Sequence, residues 1–277
     1  MIIREYNPKF VPRKAKGNHP KDLLFGFEAE LESRYDFEEP YEDKGEAAES
    51  FLHITGNRFN KFFFYKYDGS IDSGVEVVTH PFNWNWIEKN KQVIEIFQDF
   101  KKHGFKGEKN CGFHVHISRK YFTKSHLKRM LKLYYFNGNF MRRISKRGNR
   151  NMGYCDPSLF EKGHWGIHDT FYDEPSRFVP TVDDLIKIKR SDWNCLCKGC
   201  ALNLYPRNTI EVRLFQGTSN KRLIWAYLEF VKASVLFTKY TGLKSINQTN
   251  FKKYLYKNKK LYPNAVKLVR NPNSFTF

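Results

Sequence analysis

The chain is most constrained by a two-residue alternation of apolar and polar side chains that recurs along it. In residues 23–32, LLFGFEAELE, apolar side chains alternate with Gly26, Glu28, Glu30 and Glu32. Because successive side chains of a β-strand point to opposite faces of the sheet, this period predicts a strand with one buried face. Three further segments alternate in the same way and carry ionisable groups opposite their apolar residues: Glu76 in residues 75–78, His114 and His116 in residues 112–117, and Glu211 and Arg213 in residues 209–214.

Helical spacing separates these strands. Residues 84–102 and 222–238 carry apolar side chains at helical intervals, and Thr123 can cap a third helix. Turn residues at 68–70 and 206–208 join neighbouring strands as hairpins. Hairpin-like strand pairs with helices inserted between them predict an α+β fold with a mainly antiparallel β-sheet.

The organisation that we expect is an irregular N-terminal arm over residues 1–22, one main domain over residues 23–242 and a basic C-terminal extension over residues 243–277. Residues 145–200 contain many Gly, Pro, Asp and His residues, which predicts mostly loop structure. No run approaches the ~20 apolar residues that a membrane span requires, and the N-terminal stretch lacks the apolar core of a secretion signal. We therefore expect a cytoplasmic protein with no membrane partner.

Positive charge is large and unevenly distributed. The chain has 48 Lys and Arg residues against 29 Asp and Glu residues, a formal net charge of +19. Residues 28–49 hold ten acids and two bases, whereas residues 119–150 hold eleven bases and no acid. Such a field favours polyanionic partners, nucleic acid first among them. It also suits a basic surface that merely attracts ATP, because charge alone carries no specificity.

The ionisable residues on the predicted strands form a pattern of their own. Charged side chains on the solvent face of a sheet are common, so each pair alone is explained equally well as an exposed face. Carboxylates beside imidazoles on a common sheet face, however, predict an Mg²⁺ or Mn²⁺ site, since these ions prefer oxygen ligands with occasional nitrogen. An adjacent arginine such as Arg213 suits phosphoryl transfer, where it stabilises negative charge.

The order of the motifs makes a family resemblance specific. From about Phe25 to Trp225 the chain resembles the amidoligase family, which belongs to the glutamine synthetase and glutamate–cysteine ligase superfamily. The segments that carry the resemblance are FGFEAE (25–30), DGSI (68–71), EVVTHP (76–81), CGFHVH (111–116), ALNL (201–204) and TIEVRLFQGT (209–218). The chain departs from the family in having Gly199-Cys200, where an aromatic residue usually precedes ALNL.

The resemblance implies a fold and an activity. The fold is that of a glutamine synthetase catalytic domain, a curved, mainly antiparallel β-sheet with helices packed on its outer face. The activity is that of a carboxylate–amine ligase that depends on ATP and on Mg²⁺ or Mn²⁺, and that forms an amide through an acyl phosphate. Residues 23–242 are then the ligase catalytic domain, and the identities of the carboxylate and the amine stay open.

The resemblance also assigns roles to individual residues. It implies metal ligands at Glu28, Glu30, Glu76, His114 and Glu211. It implies nucleotide contacts at His114, His116, Asn203 and Arg213, and catalytic roles for Arg213, Arg147 and Glu211. Arg150 competes with Arg147 for its assignment, and a further metal carboxylate of glutamine synthetases has Asp68 and Asp72 as candidates.

Other interpretations stay open at the level of sequence. Cys195, Cys197 and Cys200 are explained either as reduced thiols or as a structural zinc site, and Cys111 is a candidate catalytic thiol. Carboxylates, histidines and the basic charge also fit a metal-dependent nuclease or phosphodiesterase. A third interpretation is a non-catalytic nucleic-acid-binding protein, which leaves the carboxylates on the sheet unexplained.

Overall fold

The computed structural model of the protein describes residues 2–3, 23–33, 51, 53, 62–66, 71, 74–107, 110–147, 201–204 and 206–275. The contacts divide the chain into two compact units. The first unit consists of Met1–Ile117, Gln216–Trp225 and Thr276–Phe277, and the second of Ser118–Phe215 and Ala226–Phe275.

A β-sheet with a long central strand organises the first unit. Its strands are β1 (Ile2–Ile3), β2 (Leu24–Ser33), β3 (Phe63–Lys66), β4 (Gly74–Thr79), β5 (Phe82–Asn83), β6 (Phe105–Lys106) and β7 (Gly112–Ser118). Strand β2 pairs antiparallel with β4, β5, β6 and β7, and β3 pairs antiparallel with β4. Only the short β1 pairs in parallel, with β3, among the strands of this unit that the structure describes.

Helices cover the apolar face of this sheet. They are α1 (Trp84–Lys89), α2 (Gln92–Glu95) and α3 (Phe97–Lys102). The ring of Phe25 lies 5.8 Å from that of Trp84, and the ring of Phe27 lies 5.8 Å from that of Phe97. Burying these aromatic side chains stabilises the unit by about 2 kcal/mol each, and it leaves the polar face of β2 turned away from the helices.

A long helix forms the centre of the second unit. The strands β8 (Leu202–Asn203) and β9 (Thr209–Gln216) pair antiparallel. The helices are α4 (Lys124–Tyr135), α5 (Gly138–Ser145), α6 (Lys221–Tyr240), α7 (Gln248–Lys257) and α8 (Pro263–Arg270). Phe230 on α6 is fully buried, and its ring lies within 6.4 Å of the rings of Tyr134, Phe140, Phe215 and Phe251.

A buried carboxylate joins α8 to α6. The Glu229 side chain accepts hydrogen bonds from the backbone N–H groups of Asn264 (2.7 Å) and Ala265 (2.9 Å), and from the Asn264 amide (2.7 Å). These donors belong to the first turn of α8, where backbone N–H groups have no partner within the helix. Glu229 therefore acts as the N-terminal cap of a helix that follows it by more than thirty residues.

The structure confirms the predicted mixture of helices with a mainly antiparallel sheet. The expected helix over residues 222–238 is present as α6, whereas residues 84–102 form the three short helices α1, α2 and α3 rather than one. Thr123 caps α4 by accepting a hydrogen bond from the His126 backbone N–H at 3.1 Å. The likeness to glutamine synthetase stays a prediction. Among the described residues, no helix combines the length and apolar character needed to cross a membrane.

Two regions of the chain do not bear out a sequence prediction: the first lies mostly outside the described residues, and the second contains helices that were not predicted. The expected loop over residues 145–200 lies almost wholly outside the described residues. The basic segment after residue 242 contains α7 and α8, which the sequence analysis does not predict. Their buried side chains, Phe251 and Leu255 on α7 and Leu268 on α8, are few among many Lys and Asn residues.

We predict that His126 makes the stability of the second unit depend on pH. Its Nε2 lies 3.0 Å from the Val235 carbonyl oxygen and 3.1 Å from the Thr238 hydroxyl. Burial, aided by the charges of Arg129 and Lys239, lowers the pKa of His126 to about 4, although the Val235 hydrogen bond opposes this. Between about pH 4 and the unfolded pKa of about 6.5 the unfolded chain binds more protons than the folded one. The free energy of unfolding therefore decreases by about 3 kcal/mol as the pH is lowered from about 6.5 to about 4.

Urea unfolding at several pH values checks this prediction. The His126→Gln variant should lose most of the decline between pH 6.5 and pH 4 that the wild type shows. His103→Gln, at an exposed position, is the matched control and should keep that decline. Equal pH dependence of all three proteins would contradict the role of His126.

Candidate active site

The register of β2 brings ionisable side chains onto one face of the first unit's sheet. Glu28 lies directly opposite His114 on β7, and Glu30 lies directly opposite Glu76 on β4. Glu76 in turn lies opposite Lys66 on β3. Directly opposed residues of an antiparallel pair share a face, so three strand pairings assemble one group. We call it the carboxylate–histidine cluster: Glu28, Glu30, Lys66, Glu76, His114 and His116.

Short contacts connect the members of this cluster. The Lys66 Nζ lies 3.2 Å from Glu28 Oε1 and 3.2 Å from Glu76 Oε2. His116 Nε2 lies 3.2 Å from Glu28 Oε1. The two nitrogens of His114 lie 3.7 Å from Glu28 Oε2 and 3.7 Å from Glu30 Oε1. The His114 imidazole therefore lies between Glu28 and Glu30, and the Lys66 ammonium group lies between Glu28 and Glu76.

Burial distinguishes this cluster from an ordinary charged face. Glu30 is 5% exposed, Glu76 is 4% exposed and His114 is 3% exposed. Removing a carboxylate from water costs several kcal/mol unless partners compensate it. The interpretation of these residues as solvent-facing strand charges is therefore excluded, and the cluster needs its internal ion pairs to exist.

The ion pairs shift the pKa values of Glu28 and Lys66. Burial by itself raises the pKa of the Glu28 carboxyl. The charge of His116, hydrogen bonds to His114 and His116, and the charge of Lys66 together hold that pKa well below its usual range. Burial lowers the pKa of Lys66, but Glu28 and Glu76 outweigh burial and raise it. Both groups are therefore charged at neutral pH.

Three members of the cluster can hold a divalent cation. One carboxylate oxygen each from Glu28 and Glu76 and one nitrogen of His114 lie within 4.8 Å of one another. Two carboxylates with one imidazole fit Mg²⁺ or Mn²⁺, which bind mainly oxygen ligands. Glu30 is partly committed elsewhere, because its Oε2 accepts a hydrogen bond from the Gly112 backbone N–H.

Gly217 allows its segment of backbone to pack closely against Cys111 and the backbone of Glu30. Gly217 donates its N–H to the Cys111 carbonyl oxygen at 2.7 Å. A Cβ atom at this position would lie 2.5 Å from the Cys111 Cβ and 3.0 Å from the Glu30 carbonyl oxygen. Only glycine fits this approach without movement of the backbone, which explains the glycine in the FQGT segment.

A second polar group lies on β8 and β9 in the second unit. Asn203 lies opposite Glu211, and its amide Nδ2 donates to Glu211 Oε2 at 2.6 Å. The other carboxylate oxygen, Glu211 Oε1, accepts from Arg213 Nη1 at 2.6 Å. Glu211 and Asn203 are buried, whereas the Arg213 side chain is 23% exposed. Asn203 and Glu211 thus hold the partly exposed guanidinium group of Arg213 in a fixed position.

Arg147 follows α5 in the same unit. It is preceded by Lys146, whose left-handed backbone (φ 60°) ends the helix and turns the chain. The Arg147 Nε donates to the Phe215 carbonyl oxygen at 3.1 Å, and its backbone N–H donates to the Ser145 hydroxyl at 3.1 Å. Burial raises the pKa of the nearby Tyr227 phenol, and the charge of Arg147 opposes this rise.

The structure places each residue of the predicted site that it describes. Glu28, Glu30, Glu76, His114 and His116 come together in the first unit. Asn203, Glu211 and Arg213 come together in the second unit. Cys111 is buried and is not part of a disulfide. The remaining candidates lie outside the described residues: Asp68, Asp72, Arg150, Cys195, Cys197 and Cys200.

Sequence reasoning missed Lys66. The signal that could have found it is the alternation of β3, in which Phe63 and Tyr65 are buried on the apolar face and Lys66 points the other way. A single lysine at the end of a short aromatic strand is ordinary on its own. Its position became informative only with the register that pairs it with Glu76.

The cluster defines a candidate divalent-metal centre built on an antiparallel sheet. Residues 27–235, well over half of the chain, match the model of the family described as "putative amidoligase enzyme". The chain therefore belongs to this amidoligase family, which confirms the resemblance found in its motifs and indicates a ligase. No curated protein matches the chain.

We predict that Lys66 is the counter-charge on which the metal-free cluster depends. Lys66→Met leaves Glu28 and Glu76 without the shared ammonium group, and breaking a buried ion pair in this way costs about 3 kcal/mol or more. The melting temperature of the metal-free variant should therefore fall. Millimolar Mn²⁺ should raise the melting temperature of the variant more than that of the wild type, because the ion replaces the lost charge.

Lys102→Met is the matched control, because Lys102 pairs with Asp99 on an exposed surface. Exposed pairs contribute about 0–1 kcal/mol, so this change should barely affect the melting temperature. A Lys66→Met variant that is as stable as the wild type, with no added response to Mn²⁺, would contradict the role assigned to Lys66.

Proposed function

We propose that this protein is a carboxylate–amine ligase that depends on ATP and Mg²⁺ or Mn²⁺. The observation that carries the proposal is the buried donor set of Glu28, Glu76 and His114, in a chain of the amidoligase family. A donor set of this kind suits the hard cations that accompany ATP. The proposal assigns the chain one carboxylate substrate and one amine substrate.

The proposed reaction has two steps. In the first, a carboxylate oxygen of the substrate attacks the γ-phosphorus of ATP, an O–P bond forms, and the bond to ADP breaks. In the second, the amine nitrogen attacks the acyl carbon, a C–N bond forms, and inorganic phosphate leaves with the bonding electron pair as the nitrogen loses a proton. Phosphorylation is needed because a carboxylate has no adequate leaving group in water.

The first unit supplies most of the metal ligands in this proposal. Glu28, Glu76 and His114 would hold the ion, with Glu30 as a further ligand. A bound Mg²⁺ would neutralise negative charge on the polyphosphate group of ATP. Lys66 keeps Glu28 and Glu76 close together while they are ionised. His116, on β7, also contacts the Glu28 carboxylate and helps to fix its position. The cluster is thereby organised before any ligand arrives.

The second unit supplies positive charge for phosphate. We assign Arg213 to the transferring phosphoryl group, because a fixed guanidinium group stabilises charge spread over phosphate oxygens. Glu211 and Asn203 fix its orientation through contacts of 2.6 Å. Glu211 is also assigned to metal binding, Asn203 and His116 to nucleotide contact, and Arg147 to a further phosphate contact.

Nucleotide turnover tests the proposal. The protein is incubated with ATP, Mg²⁺ and pooled amino acids and polyamines, and ADP, phosphate and new amide products are measured. Glu28→Gln and Arg213→Gln should each lower turnover by about 100-fold or more, as expected when a group that stabilises transferring charge is lost. Circular dichroism should show that both variants remain folded.

Glu95→Gln, an exposed change on α2, is the matched control and should turn over at the wild-type rate. Absence of nucleotide binding and turnover, together with metal-dependent cleavage of DNA, would replace the ligase with the phosphodiesterase interpretation. Variants that unfold would show that Glu28 or Arg213 has a structural role instead.

A further inference from the structure

Charge is divided very unequally between the two units. The described residues of the second unit contain 22 Lys and Arg residues and two acids, Glu211 and Glu229. The described residues of the first unit contain eight bases and seven acids. Residues 148–200 are nearly balanced in sequence, with seven bases and eight acids. The excess of positive charge therefore belongs mainly to the second unit.

Neither acid of the second unit's described part reaches its surface. Glu211 and Glu229 are each 4% exposed. Glu211 is engaged with Arg213 and Asn203, and Glu229 caps α8. A helix face that is merely solvated usually carries both signs of charge. The described surface of this unit therefore carries one sign of charge.

The exposed side of α7 concentrates this charge around an aromatic ring. Lys253, Tyr256 and Lys257 lie along one side of α7, and Lys260 lies in the turn that directly follows the helix. All four are exposed, and the Tyr256 side chain is 44% exposed. The opposite side of α7 carries the buried residues Phe251 and Leu255. We call the four exposed residues the α7 stripe.

We propose that the α7 stripe binds single-stranded nucleic acid. Lysines along a helix neutralise successive phosphates and release counterions, which is the main source of affinity for nucleic acids. An exposed tyrosine among those lysines provides a stacking surface for an unpaired base, a contact that a duplex does not offer. This binding goes beyond the proposed ligase activity, and it requires neither ATP nor metal.

An anionic membrane fits the same stripe less well. Helices that lie on membranes insert a broad apolar face into the lipid, but the apolar face of α7 is already buried in the second unit through Phe251 and Leu255. Tyr256 is the one aromatic group among the four residues of the stripe. The stripe therefore offers charge and a ring rather than an apolar face for lipid.

Fluorescence anisotropy with a labelled 20-nucleotide single strand tests this proposal, with no ATP or metal present, over a range of salt concentrations. The variant Lys253→Gln/Lys257→Gln/Lys260→Gln should bind at least about tenfold more weakly. Its slope of log affinity against log salt should be shallower by about 2, since each phosphate contact with a single strand contributes roughly 0.7. Tyr256→Ala should weaken binding without changing the slope, and Tyr256→Phe should restore it.

The matched control removes the same charge from the first unit. Lys89→Gln/Lys91→Gln/Lys102→Gln changes three exposed lysines of α1, α3 and the turn between α1 and α2, and it should keep the wild-type affinity and slope. Equal losses in the two triple variants would overturn the proposal, because binding would then follow net charge alone. Wild-type binding to phosphatidylserine vesicles without binding to the oligonucleotide would also overturn it.

Discussion

The pairing register of β2 is the constraint on which the rest of the first unit depends. With Glu28 opposite His114 and Glu30 opposite Glu76, every ionisable residue of these pairs lies on one face, and the apolar residues lie on the other. A shift of one residue would exchange the two faces. The carboxylates would then be driven against the aromatic side chains of α1 and α3, and Phe27 would lie in their place. Burial of the aromatic face therefore selects the register that assembles the cluster.

The same cluster shows how buried charge is tolerated. Each carboxylate has a cationic or imidazole neighbour, and Lys66 serves two of them at once. Replacing one partner would leave the others uncompensated, so the cluster behaves as a unit rather than as separate pairs. The short contacts fix the positions of these groups before any ligand arrives, and such pre-organisation favours the stabilisation of charge in a reaction.

Much of the fold and of the site was predictable because alternation is a local property. Glu28, His114 and Glu211 could be assigned to polar strand faces from their immediate neighbours alone. Lys66 could not, because its importance depends on which residue lies across the sheet, and a single sequence does not give the register. The helices α7 and α8 were missed because their apolar residues are few, and because α8 is capped by Glu229 from a distant helix.

The family-matched segment ends at residue 235, within α6, which continues to Tyr240. The helices after it contribute Phe251, Leu255 and Leu268 to the buried interior of the second unit. The carboxylate of Glu229 would lose all three of its donors if the chain stopped there. A fragment that ends at residue 235 would therefore expose apolar side chains of the second unit and leave the Glu229 carboxylate without these donors, so the stability of the second unit depends on α7 and α8.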